Sequence, residues 1–116
     1  MKVIVCGGRN YSDKAFLYSF MDVGLTIKGL HIIVGGAPGA DSLAEQWARD
    51  RGVPFTTVKA DWSKYGKAAG PLRNRRMLEM LGYGDRVIAF PGGNGTANIV
   101  KIAKMAQIPV YEVGDP

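Results

Sequence analysis

The sequence has few of the residues that build metal sites and redox sites. Its 116 residues include one cysteine, Cys6, and one histidine, His31. A single thiol cannot form an internal disulfide, and one imidazole with one thiol falls short of a structural zinc site. We therefore predict no metal site and no cofactor, and we interpret Cys6 and His31 as core or strand-end residues.

Long apolar runs are also missing. No uninterrupted apolar stretch approaches the roughly 20 residues that cross a bilayer, and residues 1–6 are too short for a signal peptide. The sequence therefore predicts a cytoplasmic protein with no membrane partner. With 47% hydrophobic and 22% charged residues, the chain can build one core, and its length predicts a single domain over residues 1–116.

The positive charge is concentrated in one segment. The formal net charge is +5, and residues 59–76 hold six basic residues against Asp61 alone. Clustered positive charge favours an anionic partner at one place, although a solvated loop is the plainer alternative. Trp62 and Tyr65 lie among these lysines, where their rings could stack on a nucleobase of a free nucleotide or a single strand. Alternatively, Trp62 only pins the segment onto the core.

The apolar pattern predicts strands that alternate with helices. The predicted strands are residues 2–6, 31–34, 55–58, 86–90 and 110–113. The predicted helices run from a cap at Ser12 to Gly29, from Asp41 or Ser42 to Gly52, from Pro71 to about Leu81, and from Thr96 to Ala106. We expect a long loop over residues 59–70. Five strands alternating with four helices predict an α/β three-layer sandwich with a mostly parallel, five-stranded sheet.

The first predicted helix is unusually apolar. Phe16, Phe20, Val23 and Ile27 repeat at helical spacing and are expected to face the core. Together with Leu17 and Met21, the phenylalanines give this helix more apolar surface than one side of a sheet can cover. We therefore predict a homodimer or a higher homo-oligomer that buries the remainder.

The chain has sixteen glycines, and eight of them lie in three clusters directly after predicted strands. In a parallel sheet the strand-to-helix loops emerge at one edge, and ligands bind there where the strand order reverses. Glycine lets backbone N–H groups approach a phosphate, and a helix N-terminus adds partial positive charge. The clusters at residues 35–42 and 91–96 therefore predict a phosphate site, whereas the glycines at residues 7–8 could simply make a tight turn.

The glycine clusters do not match the common nucleotide motifs. Neither long cluster continues into the Gly-Lys-Ser/Thr of a Walker A loop, and G-x-G-x-x-G does not follow the first strand. NTP hydrolysis and hydride transfer are therefore disfavoured. Arg9 follows the first strand and Arg73 is expected in the first turn of the third helix, so both guanidinium groups could fork a phosphate. We interpret Asp41 as a helix cap and leave the role of Asp61 open.

Five segments together resemble a known family. They read VIVCGGR at 3–9, GGAPGAD at 35–41, DW at 61–62, GPLRN at 70–74 and PGGNGT at 91–96. In this order they resemble the YspA-like branch of the SLOG superfamily, which takes its name from the SMF/DprA and LOG proteins. The resemblance implies a Rossmann-like sheet that binds nucleotides or nucleotide-derived ligands, in proteins of bacteria and phages that act as ligand sensors in defence or stress signalling.

The LOG enzymes of this superfamily cleave the N-glycosidic bond of nucleoside monophosphates and carry a glutamate shortly after P-G-G-x-G-T. Here the corresponding residues are Ala97, Asn98 and Ile99, without a carboxylate. An amide can neither take a proton nor stabilise an oxocarbenium ion as a carboxylate does. The sequence therefore leans towards binding without catalysis, and in the enzymatic alternative Asp41 or Asp61 replaces the missing glutamate.

The leading prediction is a small domain that senses or sequesters a mononucleotide or an ADP-ribose-like ligand. The glycine loops hold its phosphates, Arg9 and Arg73 clamp them, and the base stacks near Trp62 or Tyr65. The alternatives are a LOG-like phosphoribohydrolase and a single-stranded nucleic-acid binder. The predicted ligand contacts are Gly7, Gly8, Arg9, Gly35, Gly36, Ala37, Gly39, Ala40, Asp41, Asp61, Trp62, Arg73, Asn74, Pro91, Gly92, Gly93, Asn94, Gly95 and Thr96.

Overall fold

The five predicted strands form one parallel sheet in the computed structural model, which describes residues 1–25 and 27–114. The strands are β1 (Lys2–Cys6), β2 (His31–Val34), β3 (Phe55–Thr57), β4 (Arg86–Ala89) and β5 (Val110–Glu112). Their order is β3-β2-β1-β4-β5, and each neighbouring pair is parallel. The predicted α/β sheet is confirmed.

Helices cover both faces of this sheet. They are α1 (Lys14–Gly24), α2 (Ala40–Arg51), α3 (Trp62–Tyr65), α4 (Ala69–Glu79) and α5 (Asn94–Met105), with a 3-10 turn at Gly66–Ala68. Alternate residues of a strand point to opposite faces, so Val3 packs with α1 and α2 while Ile4 packs with α4 and α5. The three predicted layers are therefore confirmed. Within the described residues, no helix is long and apolar enough to cross a membrane.

The strand order reverses at β1. After β1 the chain moves outward through β2 and β3, and it then returns to the other side of β1 to form β4 and β5. The carboxyl ends of β1 and β4 therefore flank the reversal point, where parallel α/β sheets bind their ligands. We call this side of the sheet the carboxyl edge and the opposite side the amino edge.

Helix α1 differs from its prediction in its cap, its end and its buried face. Asp13, not Ser12, caps the helix, because its Oδ1 accepts from the backbone N–H of Phe16 at 3.1 Å. The helix ends at Gly24 rather than Gly29. Val23 is 85% exposed and Ile27 40% exposed, so their predicted inward orientation was wrong. The sheet is covered by Leu17 and Met21, and a residue two positions after Met21 lies on the opposite side of a helix.

The apolar surface that led to the predicted oligomer is largely covered within one chain. Leu17 and Met21 are fully buried. Phe16 and Phe20 are partly buried, and each packs edge-on against Phe90, with ring centroids 6.5 and 5.6 Å apart. The homo-oligomer remains a prediction, but most of the apolar surface on which it rests is covered within the chain.

The expected long loop over residues 59–70 was wrong, because most of it is helical. Asp61 starts α3 by accepting from the backbone N–H of Lys64, and α4 begins at Ala69, ahead of Pro71. Proline fits there because the first four N–H groups of a helix have no partner within the helix. The absence of an apolar period in this segment reflects short exposed helical turns, not an extended loop.

Candidate functional site

The three glycine loops meet at the carboxyl edge, as predicted. The backbone N–H of Gly8 donates to the carbonyl of Pro91 at 2.9 Å, and the N–H of Ala40 donates to the carbonyl of Gly8 at 3.1 Å. The loop after β1 is therefore bonded both to the loop after β4 and to the start of α2. The turn at residues 7–8 joins the two longer loops into one surface.

Side chains would not fit where these loops touch. Gly39 has a φ of +82°, and a Cβ there would overlap the carbonyl oxygens of Gly8 and Arg9. A Cβ on Gly8 would lie 3.0 Å from the Pro91 oxygen and 3.1 Å from the Gly92 Cα. Because the neighbours are backbone atoms, they cannot rotate away. The edge thus presents closely packed main chain, which is the surface that a phosphate group needs.

The two helices that follow the long glycine loops start differently from α1. Helices α2 and α5 begin after Gly39 and Gly93, and no described side chain caps either of them. By contrast, the carboxylates of Asp13 and Asp61 cap α1 and α3. The N–H of Ala40 donates to the Gly8 carbonyl, but the other first-turn N–H groups of α2 and those of α5 have no side-chain acceptor, so both helix starts keep donors and partial positive charge. The carboxyl edge therefore has two helix N-termini ready to meet an anion.

Asp41 supports the glycine loop and does not cap the helix, so its predicted role was wrong. It is the second residue of α2 and is 5% exposed, and its Oδ2 accepts from the backbone N–H of Ala37 at 3.1 Å. Burial raises the pKa of Asp41 to about 6, against the opposing effects of hydrogen bonds from Ala37 and Gly35 and the charge of Arg73. This carboxyl group therefore changes charge close to neutral pH.

Arg73 reaches the site from α4. It is the fifth residue of the helix, so its predicted place in the first turn was wrong. Its Nη1 donates to the carbonyl of Gly35 at 2.5 Å, and its Nε donates to Oδ1 of Asn74 at 2.9 Å. Burial, and to a lesser degree the charge of Arg9, lowers the pKa of Arg73. Among the described residues Nη2 has no acceptor, so its N–H groups can meet a ligand.

Asn74 connects α4 to the start of α5. It is 3% exposed, and its Nδ2 donates to the carbonyl of Gly95 at 3.3 Å and to Oδ1 of Asn98 at 3.0 Å. The Arg-Asn pair of the GPLRN segment therefore holds both long glycine loops at once, with Arg73 on one and Asn74 on the other. Asn98, which lies near the position of the glutamate in LOG enzymes, accepts one of the two hydrogen bonds from Asn74.

Lys59 belongs to the edge although the sequence analysis did not place it among the ligand contacts. It follows β3, and a Cβ on Gly36 would lie 3.2 Å from the Lys59 Cγ, so the lysine stem crosses this loop. Its position shortly after a parallel strand was the signal that could have identified it. With Arg9 and Arg73, it makes three basic residues beside the glycine loops.

The aromatic residues of α3 lie further out. The Trp62 indole lies over buried Gly70, where a Cβ would be 3.2 Å from Cη2, yet Trp62 is 54% exposed. Tyr65 is 45% exposed, with Lys64 Nζ 5.0 Å from its ring centroid. Asp61 is exposed and uses its carboxylate to cap α3. Trp62 thus pins the segment and still offers half of its surface, and base stacking stays a prediction.

Other predicted residues support the loops. The Thr96 side chain lies against Gly92, where a Cβ would overlap its hydroxyl. Cys6 is buried, donates to the Ile88 carbonyl at 3.6 Å, and burial raises its pKa to about 12, so it is a poor nucleophile. Asn94 is exposed at the first position of α5. In the part of the chain that the structure describes, no three His, Cys, Asp or Glu side chains are grouped to hold a metal ion.

Two shallow clefts lie away from this site. Their volumes are about 290 and 350 Å³, Ile27 and Val53 line both, and they open near the amino ends of β2 and β3. The larger one is lined by Asp22, Lys28 and Arg51 as well as by apolar residues, and no residue of the glycine loops at the carboxyl edge contributes to either cleft. The chemistry of the carboxyl edge, rather than the volume of these clefts, identifies the candidate site.

Comparison with known proteins agrees with the fold described above. A family model described as the YspA, cpYpsA-related SLOG family matches residues 1–65. The Gene 61 protein of Mycobacterium phage D29 is 36% identical over 124 residues, covering 98% of this chain and 97% of the phage protein. An X-ray structure of the protein TM1055 superimposes with a TM-score of 0.70 at 24% identity, covering 94% of this chain and 71% of that one, and it shares the fold. The match over more than half of the chain, together with the motifs that predicted it, shows that the chain belongs to the YspA, cpYpsA-related SLOG family.

Proposed function

We propose that the chain binds a nucleotide or a nucleotide-derived ligand, such as a mononucleotide or an ADP-ribose-like molecule, with its phosphates on the glycine loops. The observation that carries this proposal is the backbone contact between the three loops beside two helix starts without side-chain caps. Phosphate oxygens accept hydrogen bonds from such N–H groups. Membership of a SLOG family supports a nucleotide-related role.

The charges around the edge support an anionic ligand. Arg9, Lys59 and Arg73 lie beside the loops, and the ion pairs within the described residues join Arg51 to Asp22 and Lys104 to Glu112 instead. The positive charge at the edge is therefore not neutralised by a salt bridge. The carboxyl group of Asp41, which interacts electrostatically with Arg73, has a pKa of about 6, so part of its population is neutral near pH 6 to 7.

Calorimetric titration with AMP and ADP-ribose tests the proposal on Arg73→Ala. We expect a loss of roughly 1.5 to 3 kcal/mol in binding, as for a charged hydrogen-bonding partner. The matched control is Arg76→Ala, which removes the same charge from an exposed position of the same helix and should bind within about twofold of wild type. Unchanged affinity in Arg73→Ala, or no binding of either compound by the wild type, would contradict the proposal.

The stability of the Arg73 variant needs its own measurement. The sequence analysis placed Arg73 at a helix start, where its loss would hardly affect folding. Because its guanidinium also donates to the Gly35 carbonyl, we expect Arg73→Ala to lose about 1 kcal/mol in the free energy of unfolding. Urea unfolding of both variants separates this loss from the loss of binding.

Binding without turnover fits a sensor or a sequestering protein. Asn98 supplies an amide near the position where LOG enzymes carry a glutamate, and Asn74 already donates to it. We therefore expect AMP to remain intact after long incubation with the wild type, as measured by chromatography. Steady release of free adenine would favour the enzymatic candidate instead.

The second candidate function is hydrolysis of an N-glycosidic bond, and Asp41 is the observation that favours it. A carboxyl group with a pKa of about 6 beside an arginine is suited to proton transfer near neutral pH. Asp61 is less suited, because its carboxylate caps α3. If the wild type releases free base, Asp41→Asn should abolish the release and Asp61→Asn should keep it; no release by the wild type excludes this candidate.

A further inference from the structure

Asn74 is a buried polar side chain at the candidate site, and its own surface is almost closed to a ligand. It is 3% exposed. Its Oδ1 accepts from Arg73 Nε at 2.9 Å, and its Nδ2 donates to the Gly95 carbonyl and to Asn98 Oδ1. A buried amide that uses both of its N–H groups within the fold has no donor left for a ligand.

The donors and acceptors around Asn74 allow one orientation of its amide. An arginine Nε is always a donor, so the Asn74 atom that faces it has to be the oxygen. The amide nitrogen then points to the Gly95 carbonyl and to Asn98, whose facing atom has to be its own oxygen. Arg73 thus determines the orientation of Asn74, and Asn74 in turn determines that of Asn98.

The same contacts fix the plane of the Arg73 guanidinium. Its Nη1 donates to the Gly35 carbonyl, and a Cβ on Gly35 would overlap Nη1 and Cζ, so the group lies against the backbone of the glycine loop. Asn74 holds the Nε–H from α4. Because a guanidinium is planar and rigid, these two hydrogen bonds also determine where the third nitrogen, Nη2, points.

A guanidinium that is already held binds an anion better than a mobile one. A mobile arginine side chain loses rotational freedom when it clamps a phosphate, and this loss opposes binding. Arg76 on the same helix is exposed and shows what a solvated arginine of α4 looks like. The hydrogen bond from Arg73 to Asn74 is therefore expected to raise the affinity of the site without any contact between Asn74 and the ligand.

We propose that Asn74 is a positioning residue of the nucleotide site, which holds the Nε–H of Arg73 so that Nη2 faces the phosphate of the ligand. This role rests on the proposed binding of a nucleotide at the glycine loops. The other two hydrogen bonds of Asn74, to Gly95 and Asn98, connect the same amide to the start of α5. One buried side chain thereby aligns the cation beside the first long glycine loop with the helix that follows the second.

The first test needs neither a ligand nor a substitution. NMR on the isotope-labelled wild type measures how fast each arginine Nε–H exchanges with water, and a hydrogen-bonded group exchanges slowly. We expect the Nε–H of Arg73 to exchange at least roughly tenfold more slowly than that of exposed Arg76. Equal exchange of the two groups would overturn the proposal.

Asn74→Leu removes the amide with little change in volume. The Nε–H of Arg73 should then exchange about as fast as that of Arg76. Calorimetry should show a loss of roughly 3- to 10-fold in affinity for AMP and ADP-ribose, because the guanidinium now has to be immobilised on binding. Unchanged affinity would overturn the positioning role.

Two control variants identify the part of the amide that acts. Asn98→Ala removes a partner of Asn74 without touching Arg73, and Asn74→Asp keeps an oxygen for the arginine. The Nε–H of Arg73 should exchange slowly in both variants. Fast exchange in both would show that the whole network, rather than the Asn74 oxygen, holds the arginine, and would overturn the proposal.

A double-mutant cycle separates positioning from support of the fold. Arg73→Lys keeps the charge but has no Nε–H for Asn74 to hold. In that background Asn74→Leu should change nucleotide affinity by less than about twofold, because the interaction that it removes is already absent. Equal losses in the Arg73 and Lys backgrounds would show that Asn74 only supports the packing of the loops and would overturn the positioning role.

Unfolding and binding by the wild type complete the test. Asn74→Leu leaves the Gly95 carbonyl without this donor, so urea unfolding accompanies each variant. If the leucine variant does not fold, Asn74→Ser, whose hydroxyl is too short to reach the arginine, replaces it with the same expected results. If the wild type binds neither AMP nor ADP-ribose, the proposed function fails and this role fails with it. If the wild type binds and the cycle shows equal losses, the positioning role alone fails.

Discussion

The two edges of the sheet differ in how their backbone N–H groups are satisfied. At the amino edge a side chain satisfies the turn, since Asp85 accepts from the backbone N–H groups of Lys2 at 2.9 Å and Gly82 at 2.8 Å. At the carboxyl edge α2 and α5 start after glycines, and no described side chain satisfies their first N–H groups. The turn at Asp85 is closed by a side chain, whereas the starts of α2 and α5 have no side-chain acceptor and keep donors for a ligand.

The positions of the clefts also distinguish the two edges. The two clefts described above, of about 290 and 350 Å³, lie at the amino edge, and the larger one is lined by Lys28 and by the ion pair of Arg51 with Asp22 as well as by apolar residues. Binding of a phosphate depends on N–H donors, helix N-termini and cations more than on apolar volume. The candidate anion site is therefore an open surface of main chain, and no residue of its glycine loops lines either cleft.

The largest difference between the edges should come from two glycines with nearly equal φ angles. Gly39 has φ +82° and a Cβ there would overlap backbone, whereas Gly29 has φ +81° and open space. Gly39→Ala should lose about 3 to 5 kcal/mol in the free energy of unfolding, from positive φ and overlap together. Gly29→Ala should lose about 1 to 2 kcal/mol, from φ alone. Urea unfolding measures both, and equal losses would refute the tight packing of the glycine loops.

The next prediction concerns the buried carboxyl group of the carboxyl edge. The pKa of Asp41 is about 6 in the folded protein against 3.8 ordinarily, so between these values the folded state holds a proton that the unfolded state has lost. Asp41 therefore lowers stability as pH rises from about 4 to 6, by about 3 kcal/mol for a shift of about two pKa units. Asp41→Asn should flatten that part of the stability profile, as followed by urea unfolding at several pH values. A profile unchanged by the substitution would contradict the buried, raised carboxyl.

The carboxyl group of the amino edge should act with the opposite sign. Hydrogen bonds from Gly82 and Lys2 lower the pKa of Asp85, so it stabilises the fold above its ordinary pKa of 3.8 and that contribution is lost as pH falls below it. Asp85→Ala should cost about 1 kcal/mol at pH 7, since the group is largely solvated, and less at pH 3. Urea unfolding at several pH values measures this loss of stability. A larger loss at pH 3 than at pH 7 would contradict the expected pH dependence.

The smallest expected effect is on nucleotide affinity at the amino edge. Ile27 lines both clefts and is 40% exposed, so Ile27→Glu should fold and alter those clefts. We expect AMP and ADP-ribose to bind this variant within about twofold of wild type, because the site that we propose lies at the other edge. A tenfold loss of nucleotide affinity, measured by calorimetry, would contradict the site at the carboxyl edge and indicate binding at the amino edge.

The sequence predicted the strands and the glycine loops well. Short β-branched runs that end in glycine, such as residues 2–8, have few alternative structures, and a parallel sheet brings the ends of its strands to one edge. The resemblance of the GPLRN segment also predicted Arg73 and Asn74 as site residues, and both contact the glycine loops. The hydrogen bonds of these two residues to the Gly35 carbonyl and to the start of α5 could not be predicted, because they depend on where α4 packs in the fold.

The errors of the sequence analysis share one cause. Val23 and Ile27 continue an apolar spacing, but the choice between that face and the one containing Leu17 and Met21 depends on where the sheet lies. Asp41 stands at a helix start and reads as a cap, yet burial and the Ala37 N–H give it another role. Local patterns do not contain the direction of the neighbouring layer, so they could not decide these cases.

The sequence by itself determined which segments are strands, where glycine interrupts them, and that one short segment carries the excess positive charge, because these depend on residue type and spacing along the chain. Tertiary structure decided the rest. The order of the strands brought Gly8, Gly39 and Pro91 into contact, burial raised the pKa of Asp41, and the orientation of α4 sent Arg73 inward and Arg76 outward. These outcomes require residues far apart in the chain to be neighbours, and only the packed fold sets those distances.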